Sequence, residues 1–405
     1  MKYSEKDVLQ YIAEEDVKFV RLAFCDVLGV QKNVCIPVEE LAKAFKEGVS
    51  IDASAIKGFG DETRSDLFLQ PDASTLSVLP WRPEQGKVIR FFCDVTYPDG
   101  SPFENDSRAI LKNAVKRAEQ AGLEFFFGAE MEFYLFGMDE NGERFETPYD
   151  RAGYMDVAPY DKGENIRRQI CLTLERMGIR PESAHHEEGP GQNEIDFKYA
   201  AALNSADDAL TFRSVVQTVA GINGLYADFS SKPIADQPGN GFHVNLSVVG
   251  KNYDNPLSGA VAGIINRIRE ITLFLNPSEK SFDRLGNNKA PGYVAWSKQN
   301  RSSVIRIPAT RGKLNRLELR SPDPLANPYL AYALIIDSAM EGIVNGLPCP
   351  NEADINFFTA NEQTLLGYER LPVSLEQAKK TAAESSFVHS SLPESLIEYY
   401  LNNVR

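Results

Sequence analysis

Long apolar runs, paired cysteines and an excess of positive charge are all missing from this 405-residue chain. The most apolar helical stretch, PYLAYALIIDSAMEGIV at 328–344, carries Asp337 and Glu341, so no segment reads as a membrane span. The N-terminus, MKYSEKDVLQYIAEED, lacks the apolar core of a secretory signal and is patterned as an amphipathic helix, so the expected location is cytoplasmic. Five cysteines are scattered without a C-x-x-C pair, which excludes a disulfide framework and argues against a zinc cluster or a thiol catalyst. With 43 Lys and Arg against 57 Asp and Glu, the net charge of −14 speaks against nucleic-acid or anionic-membrane partners, while leaving room for local basic pockets. A Walker-type G-x-x-x-x-G-K-[ST] is absent as well, so any bound nucleotide must be held by something other than a loop at a helix N-terminus.

What is present is the composition of a soluble globular protein, 43% hydrophobic and 25% charged, at a length that implies two or three domains. The first hundred residues mix a short helix with β-branched and aromatic segments such as VKFVRLAFCDV and KVIRFFCDVTY, and they end in the turn-rich YPDGSPFENDS. Ser107 is then the expected cap of a helix that buries Ile110, Leu111, Ala114, Val115 and Ala118 and stops at Gly122. Further helices are expected at 163–178, 207–221, 258–275 and from Asn327, with strands at 126–136, 191–199, 241–249, 302–308 and 314–320.

These strands carry the informative pattern, because residues two apart share a face. Glu130 and Glu132 lie together opposite Met131 and Phe133; His243, Asn245 and Ser247 lie together opposite Val244 and Leu246. Arg316, Glu318 and Arg320 form a third row, and Gln192, Glu194, Asp196 and Lys198 a fourth. A single row of this kind is what the wet side of any half-buried sheet looks like. Four rows rich in Glu and Arg predict a concave polar surface on one antiparallel sheet. Clustered carboxylates repel unless a cation sits among them, and the filler that suits oxygen donors is Mg²⁺ or Mn²⁺. Arginines beside them, including Arg301 and Arg306, suit phosphate oxygens. Metal, phosphate and acid together point to ATP-dependent phosphoryl transfer. His185 and His186 are adjacent on an extended segment, so at most one reaches a given metal.

Six blocks, IDASAIKGF, EMEFYLF, HHEEGPGQNEIDFKY, GFHVNLS, APGYVAWSKQNRSSVIRIP and RLELRSPDPLANPYLA, together resemble the type I glutamine synthetase family over nearly the whole chain. The resemblance implies an α+β fold, with a small N-terminal β-grasp domain at 1–102 and a larger catalytic domain at 103–405 whose curved antiparallel sheet is backed by helices. It also implies a homo-oligomer, a hexamer or a dodecamer, with active sites between subunits. By matching motif, Glu132, Glu187 and Glu194 would hold one divalent ion, and Glu130, His243 and Glu318 a second that engages ATP. Arg301, Arg306, Lys313 and Arg316 match phosphate and nucleotide positions, and Tyr199 and Ser247 match the nucleotide pocket. Gly239, Arg284 and Arg320 match residues that grip the amino-acid substrate, with His243 beside them. Asp52, from the neighbouring subunit, matches the acid that helps bind and deprotonate ammonium. The implied substrates are ATP, a glutamate-like acid and an amine.

The chain departs from the family where the amine is bound. The segment RLGNNKAPGY is one residue short and has Lys289 where the family carries a glutamate; Ala55 replaces a serine and Pro238 an asparagine. An unpaired cation about 4 Å from an ammonium costs roughly 4 kcal/mol at an effective dielectric of about 20, close to a thousandfold in affinity. Ammonia is the default donor, a different amine the alternative, and a catalytically silent ring the third reading.

Overall fold

The computed structural model describes residues 3–82, 85–310 and 316–405. After α1 (Glu5–Glu14), capped by Ser4, the first hundred residues build a mixed sheet. Its strands are β1 (Val17–Cys25), β2 (Gln31–Pro37), β3 (Val49–Asp52), β4 (Asp66–Pro71), β5 (Ser77–Val78) and β6 (Lys87–Thr96). They run in the order β2-β1-β6-β4-β3, with β5 against β6, and the central pair β1 and β6 is parallel. One helix, α2 (Leu41–Glu47), packs against β4 and β6 through Leu41, Ala44 and Phe45, the last edge-on to Phe91 at 5.6 Å.

The chain crosses to the second layer at α3 (Ser107–Gln120). Its cap is Asp106 rather than the expected Ser107: Asp106 accepts from the Arg108 amide, whereas the Ser107 hydroxyl is buried and accepts from Asn327 Nδ2 at 2.9 Å. The Asp106 carboxylate one residue earlier caps instead, because the Ser107 hydroxyl is already committed to a tertiary contact. Arg108 ties the layers together, reaching Asp94 at 2.8 Å, Asp72 at 2.9 Å and Asp207 at 3.1 Å from a buried position.

Ten strands form the second sheet among the described residues. They are β7 (Leu123–Met138), β8 (Arg144–Pro148), β9 (Pro181–His186), β10 (Gln192–Phe197), β11 (Ala200–Ala201), β12 (Leu225–Asp228), β13 (Phe242–Gly250), β14 (Trp296–Lys298), β15 (Ile305–Ile307) and β16 (Leu317–Leu319). The main path is β14-β15-β16-β13-β7-β10-β9. All four strands with polar rows are antiparallel neighbours, as expected; the exception in the sheet is the parallel pair β14 and β15. One face of β7 is apolar and buried, with Phe125, Phe127, Ala129, Met131 and Phe133, and the other carries Phe126, Glu130 and Glu132; from Met131 to Phe136 both faces are buried.

Helices α4 (Glu164–Arg176), α5 (Ala202–Ile222), α6 (Pro256–Leu275) and α8 (Pro328–Val344) follow the predicted segments, α5 starting five residues earlier, and the short α7 (Glu279–Arg284), capped by Ser278, is a helix the sequence pattern did not predict. The apolar face of the sheet rests on them, with Tyr332 of α8 stacked on Phe127 at 4.1 Å. α6 and α8 touch backbone to backbone. A Cβ on Gly263 would lie 2.0 Å from the Ser338 carbonyl oxygen, and one on Gly342 would lie 2.1 Å from the Gly259 carbonyl oxygen. Gly263→Ala is therefore expected to cost about 3 kcal/mol or more, because rigid helices must separate. Gly221→Ala on α5, where a Cβ would meet nothing within 4 Å, is expected to be neutral or stabilising by up to about 1 kcal/mol. Urea unfolding of the two variants side by side checks this, and equal midpoints would contradict the close approach.

Candidate active site

Strand register brings the expected ligands together. Across β7 and β10, Glu132 faces Glu194 and Glu130 faces Asp196; across β7 and β13, Glu130 faces His243; across β13 and β16, Asn245 faces Glu318; across β15 and β16, Arg306 faces Glu318. Neighbouring strands lie about 4.8 Å apart, so the pairing alone forces these side chains into one cleft. Glu187 enters from the loop after β9, and Gly239, Arg284, Lys289, Arg301, Arg316 and Arg320 complete the lining.

The acids are of two kinds. Glu130 accepts from Asn245 Nδ2 at 2.7 Å and lies 3.4 Å from His243 Nδ1. Burial would raise its pKa, but the His243 contact, Asn245 and Arg306 outweigh that and hold it down at about 2. Glu194, Glu187 and Asp196 behave oppositely. Burial first, and then the Glu132 charge, pushes Glu187 up to about 8 and Glu194 well above the usual carboxylate range; burial and Glu130 push Asp196 to about 7. Glu132 is anchored by the Gly241 amide at 2.7 Å and by Gln192 Nε2 at 3.1 Å. Glu318, fully buried, is gripped by Arg306 and by Arg320 Nε at 3.0 Å, and its Oε1 is 3.9 Å from His243 Nδ1.

Two donor groups close enough to share an ion lie here, Glu130 with Glu194 and His243, and His185 with Glu187 and Glu194. Oxygen donors with one imidazole each, crowded beyond what mutual repulsion allows, fit Mg²⁺ or Mn²⁺. His185 is the residue that motif matching passed over. Its ring lies 3.3 Å from Glu194 and 3.5 Å from Glu187, and its partner across the ladder is Glu194 itself. Alternation allowed only one of the two histidines to reach the cleft without saying which; His186 points the other way, fully buried against Asp150 at 2.9 Å. Tyr154, Glu188, Gln192 and Asp196 also line the cleft.

Other expected residues sit elsewhere. Tyr199 and Ser247 lie further along the same face, at Phe126, which pairs with Ser247 and meets Tyr199 edge-on at 6.3 Å. Lys198 falls beyond the end of β10 and is exposed, outside the row assigned to it. Asp52 is exposed at the end of β3, its carboxylate accepting from the Ser54 amide at 3.0 Å, and does not line its own chain's cleft. Lys313 lies outside the described residues. Arg284 is buried, and its guanidinium donates to the Ser321 carbonyl at 2.8 Å and the Arg320 carbonyl at 3.2 Å, so it shapes the floor beneath Gly239.

This geometry can be set beside known proteins. The description of the glutamine synthetase catalytic domain matches residues 104–405, and that of its β-grasp domain matches residues 16–98. The chain belongs to the glutamine synthetase family. It is therefore an ATP-dependent ligase. Glutamine synthetase of Methanosarcina mazei is 42% identical over 98% of this chain and 92% of its own length, and that of Clostridium saccharobutylicum is 42% identical over 99% and 94%. Among solved structures, GmaS in complex with ADP superposes with a TM-score of 0.88 at 27% identity, over 97% of this chain and 94% of the other. Among the described residues, no helix is long and apolar enough to cross a membrane.

A pH dependence follows. A carboxyl with a raised folded-state pKa favours the fold below its unfolded value, and that contribution is lost as pH rises through the folded value. For Glu187 the window runs from 4.5 to about 8. With divalent ions chelated, the thermal midpoint is expected to fall across this window. Mg²⁺ or Mn²⁺ should restore it, with a larger gain at about pH 8 than at about pH 6, because the ion displaces protons from these acids. Melting curves at both values decide the point, and a gain independent of pH would place the ion elsewhere.

Proposed function

We propose that this ligase transfers the γ-phosphate of ATP to the side-chain carboxylate of a glutamate-like acid and then joins the acyl group to an amine, with ammonia the default donor. The observation that carries this is the polarity of the cleft: carboxylates gather on β7 and β10, while Arg301, Arg306, Arg316 and Arg320 gather around β15 and β16. Glu132, Glu187 and Glu194 would hold one divalent ion, and Glu130, His243 and Glu318 a second. Such ions, when bound, neutralise phosphate charge during transfer. The arginines draw the phosphates to one side, and Arg306 and Arg320 are fixed for this by Glu318. Tyr199, Phe126 and Ser247 would border the base, a role in keeping with the ADP named for the GmaS structure. Gly239 and Arg320 would hold the acid, and Asp52 of a neighbouring subunit would take the amine's proton in a ring of six or twelve.

Lys289 bears on the donor. Its ammonium is ion-paired with Glu188 across the mouth of the cleft, and its carbonyl accepts from Arg320 Nη1 at 3.1 Å. The repulsion computed for an unpaired cation is thus largely cancelled, and ammonia stands as the default. Lys289 nevertheless holds left-handed backbone at φ +68°, a conformation that costs a lysine about 1 kcal/mol or more, whereas the adjacent Asn288, at +44°, is of a type that tolerates it. A side chain kept there at such a cost favours a second reading, in which Lys289 leaves Glu188 to meet a carboxylate on a larger amine donor.

Release of ADP and phosphate with glutamate and Mg²⁺, first alone, then with ammonia, then with a panel of amines and amino acids, separates the two. With ammonia as donor, ammonia matches or exceeds every other amine, and Lys289→Glu shifts its KM by less than about threefold. With a carboxylate-bearing donor, that donor exceeds ammonia by about tenfold or more, and Lys289→Glu reverses the order. Bound ATP without turnover under any condition would overturn both.

A further inference from the structure

Behind the cleft, beneath the turn at 187–191, lies a buried polar group whose members touch none of the expected ligands of ATP. Asp150, Asp161 and His186 bring one donor atom each within reach of a single ion, and all three are buried. Their atoms are already spent, however. Asp161 is ion-paired with Arg167, which also donates to Asn193 Oδ1. Both ring nitrogens of His186 face oxygens, Nε2 the Asp150 carboxylate at 2.9 Å and Nδ1 the Glu187 carbonyl at 2.7 Å. A ring so engaged cannot ligate an ion without giving up one of these bonds, so the group serves its neighbours instead.

Asp150 is the hub. Besides His186, its Oδ1 accepts from the Gly191 amide at 2.9 Å, and its Oδ2 accepts from the Lys162 amide at 3.0 Å. One carboxylate therefore closes two loops at once. The first, 150–162, carries Tyr154, which lines the cleft with its ring edge-on to His185 at 5.4 Å. The second, 187–191, carries Glu187 and Glu188, the partner of Lys289. That second loop is held at both ends: His186 grips the Glu187 carbonyl, Asp150 the Gly191 amide, and Asn193 Nδ2 the Gly191 carbonyl at 2.9 Å. Gly191 sits at φ +71°, and a Cβ there would lie 2.8 Å from the Leu135 carbonyl oxygen, so the turn has little room to settle elsewhere. Such a clamp has work to do. Glu132 and Glu188 repel Glu187, while Mg²⁺ demands its oxygens at about 2.0–2.1 Å, so a backbone shift of about 0.5 Å would already be felt.

We propose that Asp150 and His186 are positioning residues for the ligase reaction, fixing the backbone of Glu187 from behind so that its carboxylate meets the divalent ion, a role that rests on the reading of Glu187 as an ion ligand. Neither residue touches the reacting atoms; the decisive contact runs from His186 Nδ1 to the Glu187 carbonyl. The two ring nitrogens can be tested apart. An Asn side-chain nitrogen falls near the place of Nδ1 and a Gln nitrogen near that of Nε2. His186→Asn thus keeps a donor for Glu187 and loses Asp150, and His186→Gln does the reverse.

Titration of the metal-free full-length protein with Mn²⁺, followed by the EPR signal of the free ion, reads this independently of turnover. His186→Gln should raise the Mn²⁺ Kd by about tenfold, whereas His186→Asn should stay within about threefold of the unsubstituted protein. Asp150→Asn, which accepts at one oxygen only, should raise it by about tenfold as well, and decides the matter if His186→Gln does not fold. In turnover, His186→Gln should need about tenfold more Mg²⁺ yet recover kcat to within about threefold at saturating ion. Equal weakening by His186→Asn and His186→Gln overturns the proposal, since loss of packing alone does not distinguish the two nitrogens. Mn²⁺ affinity unchanged in His186→Gln, or in Asp150→Asn where that variant decides, overturns it too. Glu187→Gln, run alongside, should weaken Mn²⁺ by about tenfold or more. If it does not, the assignment of Glu187 as a ligand has failed, and the positioning role falls with it.

Discussion

Like charges forced together govern this structure. Glu130, Glu132, Glu194 and Asp196 sit on two adjacent strands, facing one another in pairs, with Glu187 above them. A buried carboxylate beside another resists ionisation, which is why Glu187, Glu194 and Asp196 are all displaced upward. Such an arrangement persists only if the backbone over-determines it. Here the reverse face of β7 supplies that determination, since Phe125, Phe127, Met131 and Phe133 are locked into the helical layer, and α6 and α8 are packed too closely to let the sheet relax. The apolar face thus stabilises what the polar face destabilises, and a proton or a divalent cation would relieve the repulsion without moving a strand.

Much of this was legible from period-two patterning. Rows such as Glu130 with Glu132 and His243 with Asn245 required only that the strands be neighbours, and the register made them so. What patterning does not encode is tertiary commitment. Ser107 is a better cap by type than by circumstance, because Asn327, 220 residues away, engages its hydroxyl. His185 and His186 are indistinguishable by composition, and only the ladder partner of each, Glu194 against Asn193, decides which faces the cleft. Glu188 was equally invisible as the partner of Lys289, since 101 residues separate them. Asp52 illustrates a different gap: the role proposed for it requires a neighbouring chain, and in the single chain it is exposed.

Two groups of arginines differ in the acids set around them. In the cleft, Glu318 lies between Arg306 and Arg320 and cancels part of their charge before any ligand arrives. Such arginines are oriented and moderated, suited to charge that shifts during a reaction and then departs as product, because tight ground-state binding adds nothing to turnover. Around Arg90, Asp207 is engaged with Arg108 and the Tyr329 hydroxyl, and Asp208 also draws the guanidinium. The distribution of buried carboxylates, more than the number of arginines, therefore sets how much positive charge the cleft presents to a ligand.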